Sequence, residues 1–220
     1  MIYTKELALL QIKELLSIYK GLQINDIQND RITVCGDILV NRTANNFHLC
    51  KKYNLIFVIP IGIEKLPYVI DNGGHINKNY PHKNYDGSLC LEVDIIVRMR
   101  LKDNFTLINL VSDYVEPYLF SYEYYQRYNA YPFGERSHGL KGVCEVYEEL
   151  FNETNKIKLL ILMENFSTHY RGHSPCPCGS GKKTRDCHGL YVSKIVGNAE
   201  IKNQMYRDYQ RLKRRLIPDE

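Results

Sequence analysis

Tyr80-Pro81-His82-Lys83-Asn84-Tyr85-Asp86-Gly87-Ser88-Leu89-Cys90-Leu91 is the stretch from which the rest of the chain is read. Asp86-Gly87 is a tight-turn dipeptide. Tyr80 precedes a proline, which pushes it out of the helical region into an extended entry. The pattern predicts an ordered loop that presents Cys90 just after a turn. The chemistry suited to such a cysteine is acyl transfer. A thiolate is a strong nucleophile, and a thioester divides one hard acyl transfer into two easier ones. The oxyanion formed on the way needs donors, and His82 and Asn84 are the nearby candidates. The plainer reading is a buried structural cysteine, since free Cys is among the most buried residue types.

Composition narrows the setting. The chain has 220 residues, enough for one domain with a sizeable core plus an appendage. Charged residues at 25% and hydrophobic ones at 44% suit a globular protein. The net charge of +4 is too mild to argue for an anionic partner. Tyrosine is abundant at 18, with no tryptophan, and its cluster over 114–131 is read as core or as an interaction surface. No apolar run reaches the length of a membrane span. The N-terminus carries charge and then a helical pattern, so no secretory signal is expected. A cytoplasmic, reducing setting follows, in which the seven cysteines act as ligands, nucleophiles or core residues rather than as disulfides.

Residues 4–20 read as an amphipathic helix. Thr4 is its N-cap, Leu7, Leu10, Leu15 and Ile18 form its apolar stripe, and Gly21 closes it. Residues 25–30 read as a polar break. Ile32, Val34, Ile38 and Val40 alternate on either side of a Gly36-Asp37 turn region. Phe47 to Ile61 is strand-like with Pro60 near its end, and Leu66 to Ile70 is a short further strand. The loop to Cys90 begins at Gly73-Gly74. Beyond Cys90 come an apolar segment from Leu91 to Val97 and a helix capped by Thr106, with Phe105 as a staple residue. Pro117 should end or kink that helix. The Tyr122–Tyr128 run is read as helical and partly exposed. Tyr131–Gly139 is a loop whose His138 is weighed as a base for Cys90 against a plain surface histidine. Gly142–Phe151 and Ile157–Phe166 are two helices, with Cys144 in the core of the first.

Residues 171–190 change character. Cys176, Cys178, Cys187 and His188 supply three thiolates and one imidazole, the complement of a closed tetrahedral zinc site. Eight residues separate Cys178 from Cys187, so a short glycine-bearing loop can close around one ion. With all four positions filled by protein, the Zn2+ would be structural. The Gly179-Ser180-Gly181-Lys182-Lys183-Thr184 run is rejected as a phosphate loop, because Cys176 stands where glycine is needed and no apolar strand precedes it. The tail from Asn198 to Leu216 is helical and basic. It is read chiefly as a solvated face, with an acidic partner or nucleic acid as the less favoured reading.

Two resemblances rest on these residues. The 80–91 run resembles the active-site loop of ubiquitin-conjugating enzymes, which reads His-Pro-Asn, a few residues, Gly, two residues, Cys, Leu. Laid ungapped on Cys90, the His-Pro-Asn positions fall on Tyr80, Pro81 and His82. Pro81, Gly87, Cys90 and Leu91 match, and His82 stands at the asparagine position, as histidine often does in bacterial members. The order of helix, antiparallel meander, cysteine loop and helices is also that of the family. The 176–188 run is similar to the SEC-C motif, a small zinc knuckle.

The resemblance implies an α+β protein with a UBC-like fold over residues 1–155, a linking helix over 156–170, the knuckle over 171–190 and a basic helix over 191–220. It implies a transferase in which Cys90 carries a thioester to the C-terminus of a ubiquitin-like or partner protein. His82 or Asn84, with the N–H groups of the 86–90 turn, would stabilise the oxyanion. With no nucleotide-binding glycine motif, a separate activating enzyme or an already activated donor is needed. Family context further implies bacterial antiviral operons of the CBASS type, with a cyclic-oligonucleotide synthase (CD-NTase) as partner. The competing reading is a catalytically inactive adaptor that uses the knuckle and basic tail for binding.

Overall fold

Thr4 starts the first element by accepting the Leu7 N–H at 3.2 Å, and helix α1 runs from Lys5 to Ile18. The structure, a computed structural model, describes residues 2–100 and 106–216, apart from the side chains of Ser193, Lys194 and Val196. Phe105, expected to staple the second helical segment, lies outside the described residues. The chain is mixed α+β and divides into two compact units. One is Met1–Glu92 with Asp103–Glu135, and the other is Val93–Lys102 with Arg136–Glu220.

The first unit is built on an antiparallel sheet in the order β1 (Leu22–Ile27), β2 (Arg31–Ala44), β3 (Phe47–Pro60), β4 (Tyr68–Asp71). β2 and β3 pair along their whole length, Arg31 with Pro60 through to Ala44 with Phe47. The two residues between them, Asn45 and Asn46, both have positive φ, which is the geometry of a primed hairpin turn. Two expectations are corrected here. Residues 25–30 are not merely a polar break, because β1 occupies the first half of them as an exposed edge strand with only Leu22 buried. Nor is Gly36-Asp37 a turn, because β2 runs straight through it. Gly36 sits at φ +138°, and a Cβ there would stand 2.1 Å from the Gly21 carbonyl oxygen. Gly21 meets the backbone of Asp37 just as tightly, and the Asp37 N–H donates to the Gly21 carbonyl at 3.0 Å. The two glycines therefore let the end of α1 lie against β2, and Gly21 is not a helix cap; that position is held by Tyr19.

The apolar stripe of α1 is also displaced. Its buried face is Ala8, Gln11, Ile12 and Leu15, while Leu10 and Ile18 are each 56% exposed. Gln11 is accommodated inside by bonding. Its carbonyl oxygen accepts from the Tyr3 hydroxyl at 2.9 Å and from the Leu107 N–H at 3.2 Å. Thr106 caps α3 (Leu107–Leu110), as expected. The helix then passes through a π-helical turn, Val111–Val115, into α4 (Glu116–Tyr128). Pro117 lies in the first turn of α4, directly after the π-helical turn in which the Glu116 N–H donates to the Val111 carbonyl, and the helix continues past it.

The second unit begins with α2 (Asp94–Arg100), where an apolar segment was expected. It continues with α5 (Gly139–Phe151), α6 (Lys156–Thr168), a 3-10 turn at Thr184–Asp186, α7 (Gly189–Val196) and α8 (Ala199–Leu216). Asn155 caps α6, accepting from the N–H groups of Ile157 and Lys158. One core joins these elements through Tyr147, Phe151, Phe166, Val192, Met205 and Leu212. Cys144 is buried in it, as expected. The boundary between units falls after residue 135, so α5 belongs with the 171–190 segment and α8.

Candidate functional site

The 80–91 loop is braced from three sides. Gly87, at φ +84°, donates its N–H to the Asn84 carbonyl at 2.9 Å and closes the Asp86-Gly87 turn. The Asp86 carboxylate accepts from the Ser88 hydroxyl at 2.6 Å and from its N–H at 3.0 Å, and these bonds hold Asp86 below the usual carboxylate range. Leu89 donates to the Val69 carbonyl at 2.8 Å, which ties the loop to β4. Lys83 reaches the Ile76 carbonyl at 3.3 Å, with the buried Asp71 carboxylate 3.9 Å away.

Cys90 emerges half-buried from this frame. Its N–H donates to the His82 carbonyl at 2.8 Å, and the same carbonyl accepts from the Tyr118 hydroxyl at 2.9 Å. His82 is thus a hub through its backbone as well as its ring. The ring lies 5.4 Å from Tyr131 and 5.5 Å from Tyr80, and its Nε2 is 3.8 Å from the Glu135 carboxylate. Burial keeps the Tyr118 phenol protonated, with the nearby Tyr80 phenol and Cys90 thiol pushing the same way. The sequence marked Tyr118 only as one member of the 114–131 tyrosine cluster, since only the fold brings it to a loop 36 residues away.

One expectation changes. The N–H groups of Gly87, Ser88, Leu89 and Cys90 are each engaged within the protein, so they are not waiting to receive an oxyanion. The Asn84 amide likewise donates to the Ser88 hydroxyl at 3.0 Å. His138 precedes α5 in the second unit, whereas Cys90 belongs to the first.

The second cluster lies wholly in the second unit. Cys176, Cys178, Cys187 and His188 place one ligand atom each within 4.8 Å of one another. The Cys178 and Cys187 sulfurs are 3.7 Å apart, and His188 Nδ1 is 3.4 Å from the sulfurs of both Cys176 and Cys187. A tetrahedral ion with metal–sulfur bonds of ~2.3 Å and a metal–nitrogen bond of ~2.0 Å gives sulfur–sulfur edges of ~3.8 Å and sulfur–nitrogen edges of ~3.5 Å. The cluster therefore has the dimensions to hold a metal ion.

The surrounding backbone suits anionic sulfur. Cys176 bonds back to the Lys182 carbonyl at 2.8 Å, and Pro175 pairs with Lys183, which closes the loop as a small hairpin. The N–H groups of Cys178 and His188 point to the Cys176 sulfur, and those of Ser180 to that of Cys178. Burial nevertheless pushes the Cys176 thiol up to about 11. Burial acts the same way on Cys178, but the Ser180 hydroxyl and N–H outweigh it and hold that thiol below its ordinary range. Burial also keeps His188 below the ordinary histidine range, so it is a neutral imidazole with a lone pair to give.

An open groove lined by Ile18, Tyr19, Leu39, Lys52 and Glu116 shares no residue with either site. Among the described residues no helix is long and apolar enough to cross a membrane. No family model matches the chain, and neither does any curated protein or solved structure.

Proposed function

We propose that the chain is a ubiquitin-conjugating-like cysteine transferase of UBC-like fold, stabilised by a structural zinc ion in the 176–188 knuckle. The observation that carries the reading is Cys90 itself. It stands half-exposed at the end of a turn that is pinned to β4 at Leu89 and to α4 through Tyr118. A sulfur held on a rigid frame is preorganised for attack. The Cys90 thiolate attacks the carbonyl carbon of the donor protein's C-terminal thioester. A new carbon–sulfur bond forms as the old one breaks, and the activating enzyme's thiolate leaves. An acceptor amine then attacks the Cys90 thioester, an amide forms, Cys90 is released as thiolate and the amine's proton passes to water. With the loop's own N–H groups engaged, oxyanion donors come from the His82 ring or from the bound partner.

Three thiolates and an imidazole with edges near those of a zinc tetrahedron favour Zn2+ over harder cations, which prefer oxygen. A bacterial antiviral setting, a cytoplasmic location and a ubiquitin-like protein or cyclic-oligonucleotide synthase as donor rest on the family resemblance. The inactive-adaptor reading keeps one specific support, the engaged N–H groups at 87–90.

The test is an adduct on Cys90. The chain is co-expressed with its genomic neighbours and compared with Cys90→Ala and Cys90→Ser on reducing and non-reducing gels. A thiol-labile adduct in the wild type, a thiol-resistant one in Cys90→Ser and none in Cys90→Ala are expected. No adduct, with full function retained in Cys90→Ala, leaves the adaptor reading standing.

A further inference from the structure

The two units carry opposite charge. The first has 11 Lys and Arg against 14 Asp and Glu, whereas the second has 18 against 11. Within the second, α8 concentrates the excess. Its inner face, Ile201, Met205, Tyr209 and Leu212, is core. Its outer face carries Lys202, Arg207, Arg211, Lys213, Arg214 and Arg215. The only acids on the helix are Glu200 in its first turn and Asp208, which is 1% exposed and turned inward to Tyr147 and Gln204. An ordinary solvated face intersperses both signs. This one carries no exposed carboxylate after Glu200.

The cations are also arranged. Residues three and four apart share a column on a helix. Arg207, Arg211 and Arg214 make one such column, with ~6 Å of rise between the first two. Lys202, Tyr206 and Lys213 make the next. Tyr206 is 42% exposed and stands in that column between two lysines. Four of the six cations are arginines, whose planar guanidinium pairs with phosphate through two hydrogen bonds and stacks on bases. A positive track beside an exposed aromatic ring is the arrangement that holds single-stranded nucleic acid, with phosphates along one column and a base on the ring.

We infer that the outer face of α8, through Arg207, Arg211, Arg214, Arg215 and Tyr206, binds single-stranded nucleic acid. The inference is independent of the transferase reading of Cys90. The test uses the full chain and a fluorescein-labelled oligouridylate about 20 nucleotides long, followed by anisotropy at about 50 and 200 mM salt. Saturable binding is expected at the lower salt. With four phosphates neutralised, affinity should fall on the order of 50-fold at the higher. Arg214→Glu with Arg215→Glu should weaken binding at least tenfold with an unchanged melting curve, since both side chains are exposed. Tyr206→Ala should weaken it roughly tenfold through lost stacking. Absence of binding at low salt overturns the inference, as does binding unchanged in the double charge reversal. Displacement by polyglutamate at equal charge overturns it too, in favour of an acidic protein partner.

Discussion

If the Cys176–His188 cluster holds zinc as proposed, chelating the protein and adding zinc back at several pH values tests the site as chemistry. Each thiol must give up its proton to become a ligand, whereas the imidazole is already neutral. The Cys176 thiol, pushed up to about 11 by burial, is fully protonated through the neutral range. It alone obliges the apparent affinity to fall about tenfold, or ~1.4 kcal/mol, for each pH unit of acidification. The sign differs between the two forms. Without metal, the raised thiol favours the native state only while it keeps its proton, a contribution present below the ordinary thiol range and lost as pH climbs toward 11. With metal bound the dependence reverses, because thiolates are what the ion holds.

Cys176 is 3% exposed and packs into the core of the second unit, so metal loss should also loosen that core. Calorimetric titration in buffers of differing ionisation enthalpy counts the released protons, and near-ultraviolet circular dichroism follows the packing. One equivalent of zinc, at least one proton released and tighter binding at higher pH are expected. Binding without proton release, or an affinity flat between about pH 6 and 8, would refute the assignment of the thiols as ligands.

Two further outcomes depend on single hydroxyls. Tyr147→Phe removes the donor that meets the buried Asp208 carboxylate at 3.0 Å. Burial raises the Asp208 pKa and Asp94 pushes it the same way. Gln204, Tyr147 and Arg211 oppose them. The substitution should cost about 1.5–3 kcal/mol near neutrality and less in acid, where the protonated carboxyl no longer needs the donor. The wild type should itself lose stability as pH rises through the raised Asp208 value. Urea melts at several pH values from neutrality into acid check both, and an equal cost at all of them would sink the argument. Tyr118→Phe removes one of two donors to the His82 carbonyl, for about 1 kcal/mol and a melting shift of about 2–4 °C. Adduct yield on Cys90 should drop with it, and an unchanged yield would show that Tyr118 does not position the loop.

What the sequence discloses here is unequal in kind. Both site segments were legible because they are local. Asp86-Gly87 builds its turn from its own side chain, and four ligands within 13 residues can meet only if the loop folds back on itself. The hairpin of β2 and β3 was half legible. Its apolar centre stood out, but Gly36 looked like a turn because the reason for a glycine there is the Gly21 backbone pressed against it. β1 was missed because an edge strand with one buried residue shows no alternation. The stripe of α1 was misplaced because Gln11 is buried through bonds to Tyr3 and Leu107, which composition cannot display. The basic tail hid its amphipathic nature behind its charge.

The course of the chain bears on how such a protein can be taken apart. The Cys90 unit is completed by Asp103–Glu135, a stretch that comes after α2 in sequence, and α2 is built into the core of the knuckle unit, with Ile95 fully buried there. No single cut yields both halves intact. A fragment starting at Arg136 would leave behind the helix that contributes Ile95. One ending at Glu135 would carry that helix as an orphan with its apolar side bare. The 171–190 segment is accordingly no cassette to be trimmed away or grafted elsewhere. The segment that holds Cys176 therefore depends on a helix lying more than seventy residues upstream of it, with the whole of Asp103–Glu135 in between.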